Sequence, residues 1–383
     1  MDKPTVQDIF HRFYPAYLDQ YSPSPVQAKV AHNIMNCKTG AYGANVCVCE
    51  DCGFVQIHYN SCRNRCCPMC QAVPKEMWMD ARREDVLDAP YFHLVFTVPD
   101  ILNPVIYSNQ RLLYDALYHA ASSTISELTA DPKHLGAKVG YICILHTWGS
   151  EMNFHPHIHT ILLGGGLASN NQWKDNGENF FLPIRVISKM FRGKYLEELK
   201  RLWEEDKLVF HGTAEKFRNH YTFKELLDSC YGMDWIPHCK KTFNGAQTVI
   251  KYLGKYTHRI AVSNHRIVRM DDDTVTFLVK DYRNEGQWKE LTISGVEFVR
   301  RFLMHVPPRR FVRIRHYGLL CSRTKSQKLT LCRNLLGCKK YFSKLRDMEM
   351  PEILEHLYGI KVCVCKACGG HLGKPQMRMP LRC

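Results

Sequence analysis

The residues of this chain best spaced for chemistry are histidines, in the stretch Phe154-His155-Pro156-His157-Ile158-His159-Thr160-Ile161-Leu162-Leu163. Its apolar and β-branched composition predicts a β-strand, closed by Gly164-Gly165-Gly166. Side chains alternate across a strand, so His157 and His159 share one face, about 7 Å apart along it, with Ile158 opposite. Two imidazoles so placed can converge on one metal ion, although a pair of core histidines shows the same local pattern. Upstream, residues 140–148 form a second apolar run, and Gly149-Ser150 opens a turn between the two. If the runs pair as a hairpin, His146 lies beside His157 and His159. Three neutral nitrogen ligands with a coordination position left open are what a catalytic divalent ion needs. His155 has the parity to act as a substitute or supporting ligand.

A second segment, residues 246–258, supplies groups for such an ion to act with. It reads as a helix with an apolar stripe of Ala246, Val249, Ile250, Leu253 and Thr257. Lys251 and Lys255 form a basic stripe. Tyr252 and Tyr256 border both, about 40° apart and about 6 Å along the axis. An i,i+4 aromatic pair can merely edge a core. Beside three histidines and two lysines, the same pair offers phenolic nucleophiles next to cations that attract phosphate. Gln247 lies about 140° around the helix from Tyr252, which ranks it below His146 as a ligand.

These motifs carry a family resemblance. His157-Ile158-His159 followed by Tyr-x-x-x-Tyr resembles the HUH endonucleases. His155-Pro156-His157-Ile158-His159 together with Tyr252-Leu253-Gly254-Lys255-Tyr256-Thr257-His258-Arg259 resembles the two-tyrosine rolling-circle transposases of the IS91 type, from about residue 45 to about residue 320. The spacing from His146 to His157 and His159 is similar to the three-histidine metal sites of conjugative relaxases. The resemblance implies an α+β fold, an antiparallel sheet carrying the histidines with the tyrosine helix packed across it. It implies Arg266, in Ser263-Asn264-His265-Arg266, as a phosphate clamp.

The chain has 18 cysteines and no secretory pattern at Met1-Asp2-Lys3-Pro4, which points to reduced thiols, metal ligation and a cytoplasmic protein. Cys49-x-x-Cys52 and Cys67-x-x-Cys70, fourteen residues apart, have zinc-ribbon spacing, and the expectation is one tetrahedral structural zinc on these four. Cys47, Cys62 and Cys66 are candidates for exchange or for a second ion. Cys365-x-x-Cys368 is a further knuckle, with Cys332, Cys338, Cys363 and Cys383 as candidate partners. Cys66 stands where the family often has histidine. Arg63 and Arg65 on the knuckle are candidate phosphate contacts.

A net charge of +15 calls for a polyanionic partner, most simply nucleic acid, and no stretch approaches the length of a membrane span. From Phe298 to Arg346 there are fourteen Lys or Arg residues and no Asp or Glu. Arg309, Arg310, Arg313 and Arg315 there alternate with apolar and aromatic residues, a mix that suits single-stranded DNA. Periodicity predicts helices over 72–88, 101–128, 187–208, 217–231 and 295–305, a strand over 91–98, and hairpins over 259–268 and 274–293. The expected layout is a helical arm (1–44), a zinc module with a linker helix (45–88), an endonuclease core (89–270) and a basic DNA-binding region (271–383). The core would carry a helical insertion at about 170–240, serving DNA-end recognition or packing.

The resemblance implies cleavage and rejoining of single-stranded DNA at element ends through 5′-phosphotyrosine, with Mg²⁺ or Mn²⁺ on the three histidines. Lys251, Lys255 and Arg259 would hold phosphate, and a host helicase would unwind the DNA, since no nucleotide-binding loop is present. A replication initiator or relaxase, a non-catalytic zinc-dependent DNA-binding protein and a zinc metallohydrolase are the alternatives. The last needs a carboxylate base, for which Glu151 is the near candidate.

Overall fold

A run of apolar residues with few breaks becomes a strand when both its faces are covered, and that is the fate of the histidine stretch. The protein is described by a computed structural model over residues 3–175, 182–235, 237–243, 248, 249, 254, 261–281 and 285–378. The fold is α+β. Its main sheet is antiparallel in the order β11 (Ile314–Gly318), β4 (Lys138–Trp148), β5 (Phe154–Leu167), β3 (Tyr91–Thr97), β7 (His238–Phe243), with β6 (Trp173–Asp175) added to the end of β5. The histidine strand β5 is thus central, paired with β4 on one side and β3 on the other.

One face of this sheet, including Phe92, Phe96, Tyr141, Leu145, Ile158 and Leu162, packs on α4 (Asn103–Ser108), α5 (Gln110–Ala130), α6 (Ile184–Glu204) and α7 (His220–Gly232). The α6 residues Ile187, Phe191, Tyr195 and Leu199 are fully buried there, and the Phe96 and Phe191 rings lie 4.9 Å apart. The helices expected as an insertion are therefore part of the core. The opposite face carries Ile142, Ile144, Ile161 and Leu163, covered by Leu319, Leu320, Leu329 and Cys332.

The three glycines do not close the histidine strand, which runs on to Leu167. They let neighbours come close instead: a Cβ on Gly165 would stand 2.4 Å from the Trp173 ring, and one on Gly166 2.5 Å from the Lys138 carbonyl oxygen.

A second core joins distant parts of the sequence. Here α1 (Val6–Leu18), α2 (Pro25–Met35) and α8 (Gly295–Met304) pack with the sheet β8 (Ile267–Met270), β9 (Thr274–Asp281), β10 (Gln287–Ser294). Phe10 meets Phe302 edge-on at 5.2 Å. The expected N-terminal arm is thus built into this core, because its apolar stripe (Val6, Ile9, Phe10, Phe13) needs the partner that α8 supplies. The predicted 259–268 hairpin is replaced by β8 paired to β9; residues 259 and 260 lie outside the described residues. The third sheet, in the order β12 (Gln376–Arg378), β1 (Ala44–Val48), β2 (Val55–Tyr59), brings the region after residue 360 back to the N-terminal cysteines. A separate basic domain over 271–383 is not what forms: β11 completes the main sheet, and β12 belongs with β1.

Candidate active site

His146 on β4 lies directly across from His157 on β5, and His159 follows on the same face. The His157 and His159 Nε2 atoms are 3.1 Å apart, and ligand nitrogens of the three rings lie within 4.8 Å of one another. Two nitrogens on one ion with bonds of about 2.1 Å stand roughly 3.0–3.4 Å apart, so the donor set fits a divalent cation. The rings are oriented from behind. His157 Nδ1–H donates to the His155 carbonyl at 2.7 Å, and His159 Nδ1 pairs with His93 Nε2 on β3 at 2.9 Å, turning both Nε2 lone pairs to the shared point. His146 stacks on Trp148 at 4.6 Å between ring centres. Burial pushes His157 down to about 4 and His159 well below the usual histidine range, so both are neutral and ready to ligate.

His155 is not part of the cluster: it faces outward, with Nδ1 3.2 Å from Asp100 Oδ1. His155 keeps the parity of His157, with the two ring centres 5.2 Å apart, but sits at the less buried start of the strand. Among the described residues no carboxylate joins the three imidazoles. Glu151 lies on the turn, 4.0 Å from Lys289, and is not among the groups gathered at the three imidazoles.

Tyr252, Tyr256, Lys251, Lys255, Arg259 and Gln247 lie outside the described residues, as does Cys383. Three residues of this segment, Thr248, Val249 and Gly254, are described. Val249 is buried with Ile144 and Ile161 on the histidine-bearing face. Gly254 abuts α3 (Ala72–Arg83), where a Cβ would stand 1.9 Å from Met79 Sδ.

The tip of the histidine hairpin is gripped by the second core. Met152 is fully buried there with φ 58°, a strained value for a side-chain-bearing residue. Arg266 is also buried. Its guanidinium donates to the Ser150 and Leu278 carbonyls, each at 2.6 Å, so it clamps the turn instead of reaching phosphate. Arg301 donates to the Glu151 carbonyl at 2.9 Å. His305 Nε2–H donates to the Met152 carbonyl at 2.9 Å, while its Nδ1 accepts from Thr147 Oγ1 at 3.1 Å. His93 and His305 had no local signal beyond being histidines; only the pairing of distant segments reveals them.

The cysteines sort differently from their spacing. Cys49 and Cys52 gather with Cys365 and Cys368; Cys67 and Cys70 gather with Cys37 and Cys62. Each knuckle fills only half a tetrahedron, and the folded chain, not sequence proximity, chooses the other half. In the second group Cys62 and Cys70 Sγ are 3.8 Å apart, the tetrahedral edge of about 3.8 Å that Zn–S bonds of about 2.3 Å define. Hydrogen bonds from the Cys62 and Cys67 thiols hold Cys70 far below the ordinary thiol range. Cys47 and Cys66 are buried outside both groups, and Cys66 lies near Arg313 and Arg65. Cys332 is in the sheet core, Cys338 packs beside it, and Cys363 is exposed.

Among the expected DNA contacts, Arg63, Arg65, Arg309 and Arg310 are exposed. Arg65 is spent on the Phe311 carbonyl at 2.6 Å, and Arg315 pairs with Asp115 and lies 4.0 Å over the Tyr118 ring. Arg313 sits against Cys66 and Arg65 in a setting whose burial lowers its pKa. The rings of this stretch are not free for bases: Phe311 is buried and Tyr317 stacks on Tyr141 at 5.2 Å. Among the described residues no helix is long and apolar enough to cross a membrane.

The chain matches two family models, one described as "Transposase zinc-binding domain" over residues 9–98 and one described as "Putative transposase" over residues 140–328. It is 40% identical over 369 residues to the "Putative transposase y4qJ" of Sinorhizobium fredii (strain NBRC 101917 / NGR234), covering 95% of this chain and 93% of that protein. It is 30% identical over 309 residues to the transposase for insertion sequence element IS801 of Pseudomonas savastanoi pv. phaseolicola, covering 79% and 72%. Among solved structures, the conjugative relaxase TrwC bound to oriT DNA matches in two forms. The metal-free form gives a TM-score of 0.23 at 14% identity, covering 45% of this chain and 68% of that one. The copper-bound form gives 0.26 at 13%, covering 67% and 96%. Scores this low do not establish a common fold.

Arg266→Ala removes a clamp with buried acceptors and is expected to lower unfolding stability by roughly 2–4 kcal/mol. The slope of log affinity for DNA against log salt should not change. A slope reduced by about one unit would make Arg266 a phosphate contact after all.

Burial holds His305 and His316 down to about 4, against the ordinary 6.5. Between those values the unfolded chain binds protons that the folded chain refuses, so stability falls as pH falls through that window. Denaturant midpoints measured from pH 7 to pH 4 on metal-free protein should drop steadily, and less steeply for His305→Gln than for the parent. A pH-independent midpoint would contradict this.

Proposed function

Because the chain belongs to the IS91-type transposase family, we propose that it cuts and rejoins single-stranded DNA at insertion-sequence ends through phosphotyrosine intermediates. The observation that carries this reading is the cluster of His146, His157 and His159, three buried imidazoles on one face of a sheet with two Nε2 atoms 3.1 Å apart. These residues would hold Mg²⁺ or Mn²⁺, which when bound polarises the scissile phosphate and offsets charge in the transition state.

Tyr252 or Tyr256 is the proposed nucleophile. Its phenolic oxygen attacks phosphorus and loses its proton; the bond from phosphorus to the 3′ oxygen breaks, and that oxygen leaves as a 3′-hydroxyl. The 5′ end stays on the tyrosine as a phosphodiester, so a later 3′-hydroxyl can reverse the step without ATP. The second tyrosine serves a second cleavage while the first is occupied. Lys251, Lys255 and Arg259 are proposed to lower the phenol pKa and hold phosphate. His93 and the His155 carbonyl fix the ring orientations, and the Arg266, Arg301 and His305 clamp fixes the hairpin. Exposed Arg63, Arg309 and Arg310 are the proposed DNA backbone contacts, and single strands are supplied by host unwinding.

The test is covalent capture of labelled single-stranded element ends in Mg²⁺ or Mn²⁺, resolved on a denaturing gel. Wild type should form an adduct that the Tyr252→Phe/Tyr256→Phe double variant lacks, and His146→Ala should lose it at ordinary metal concentrations. His93→Ala should raise the half-saturating Mn²⁺ concentration roughly 10–100-fold. No adduct with any strand would leave a zinc-dependent DNA-binding protein.

A further inference from the structure

Two cysteine knuckles at opposite ends of the sequence meet at one point. Cys49 and Cys368 Sγ are 3.5 Å apart and Cys52 and Cys365 Sγ 3.8 Å, across 319 and 313 residues of chain. These match the edge of about 3.8 Å in a tetrahedral zinc tetrathiolate. Both knuckles close through the same turn: Gly53 N–H donates to the Cys49 carbonyl and Gly369 N–H to the Cys365 carbonyl, each at 3.0 Å. Gly53 and Gly369 take φ of 71° and 77°, the left-handed region open to glycine without strain. The amides of Ala367 and Gly370 point at Cys365 and Cys368 Sγ, each at 3.4 Å, donors that favour thiolate.

Among the described residues, little apolar packing joins the two knuckles. Their buried apolar cluster comprises Cys47, Cys49, Cys365 and Leu372. Around it lie the short pairing of β12 with β1 and the bonds from Glu50 N–H to the His371 carbonyl and Gly373 N–H to the Val48 carbonyl. A core of this size does not sustain two ribbons without a staple.

We infer that Cys49, Cys52, Cys365 and Cys368 bind a thiophilic divalent ion, zinc in the first instance, as a clasp between the N-terminal module and the segment after residue 360. Half of its donors lie outside residues 9–98, the span matched by the zinc-binding family model. It is separate from Cys37, Cys62, Cys67 and Cys70, all within that span. The clasp does not depend on the proposed strand cleavage.

The test is timed alkylation of the native full-length chain with N-ethylmaleimide, read residue by residue by mass spectrometry. Cys52, Cys368, Cys321 and Cys363 are all exposed. Cys52 and Cys368 should react at least ~10-fold more slowly than Cys321 and Cys363, and match them once a strong chelator strips the protein. Equal reactivity before chelation overturns the clasp. Protection that survives chelation but yields to a reductant also overturns it, by identifying a disulfide. A Cys365→Ser/Cys368→Ser variant should hold one zinc fewer per chain than wild type; an unchanged zinc content would refute the site.

Discussion

The antiparallel pairing of β4 with β5 is the constraint on which the rest depends. It sets His146 opposite His157 and makes β5 a central strand, so that β3 can place His93 behind His159. Strand pairing has a period of two, and a one-residue slip would send His157 and His159 to the face occupied by α5 and α6. The register is pinned at both ends of the hairpin. Glycines admit Trp173 and the Lys138 carbonyl at one end. At the other, Met152 is plugged into the second core, and the Ser150, Glu151 and Met152 carbonyls of the turn are held by Arg266, Arg301 and His305 in that order. The second core is therefore tied mechanically to the histidine cluster.

Local pattern was enough for the histidine face, because alternation along one strand and a short turn decide it. The strand over 91–97, the helix at 295–304 and the pairing of 274–281 with 287–294 were legible for the same reason. Partners chosen by the tertiary fold were not. Cys37 is a single cysteine with no knuckle, and Cys365 and Cys368 are remote from Cys49. The arginines misled most: the basic alternation over 309–315 looks like a nucleic-acid surface. Yet Phe311 is buried in the main core, and Arg65 and Arg315 bond within the protein. A guanidinium signals charge in a sequence, whereas its five donors often serve buried carbonyls.

Of the two cysteine groups, only the one that includes Cys365 and Cys368 sits where apolar burial is thin. The Cys37, Cys62, Cys67 and Cys70 group borders the second core, through Cys37 and Cys67. The Cys49, Cys52, Cys365 and Cys368 group holds the small sheet in which β12 joins β1 and β2. Ligation and packing are complementary here, as expected for small modules that cannot bury enough surface.

The measurement that bears most directly on the histidine cluster is anomalous diffraction from crystals grown with Mn²⁺ and a single-stranded element end. The account predicts one manganese peak within bonding distance of Nε2 on His157 and His159 and of a His146 ring nitrogen, with a phosphate oxygen in the open position. A manganese peak elsewhere, with the three imidazoles bonded only to one another, would contradict it.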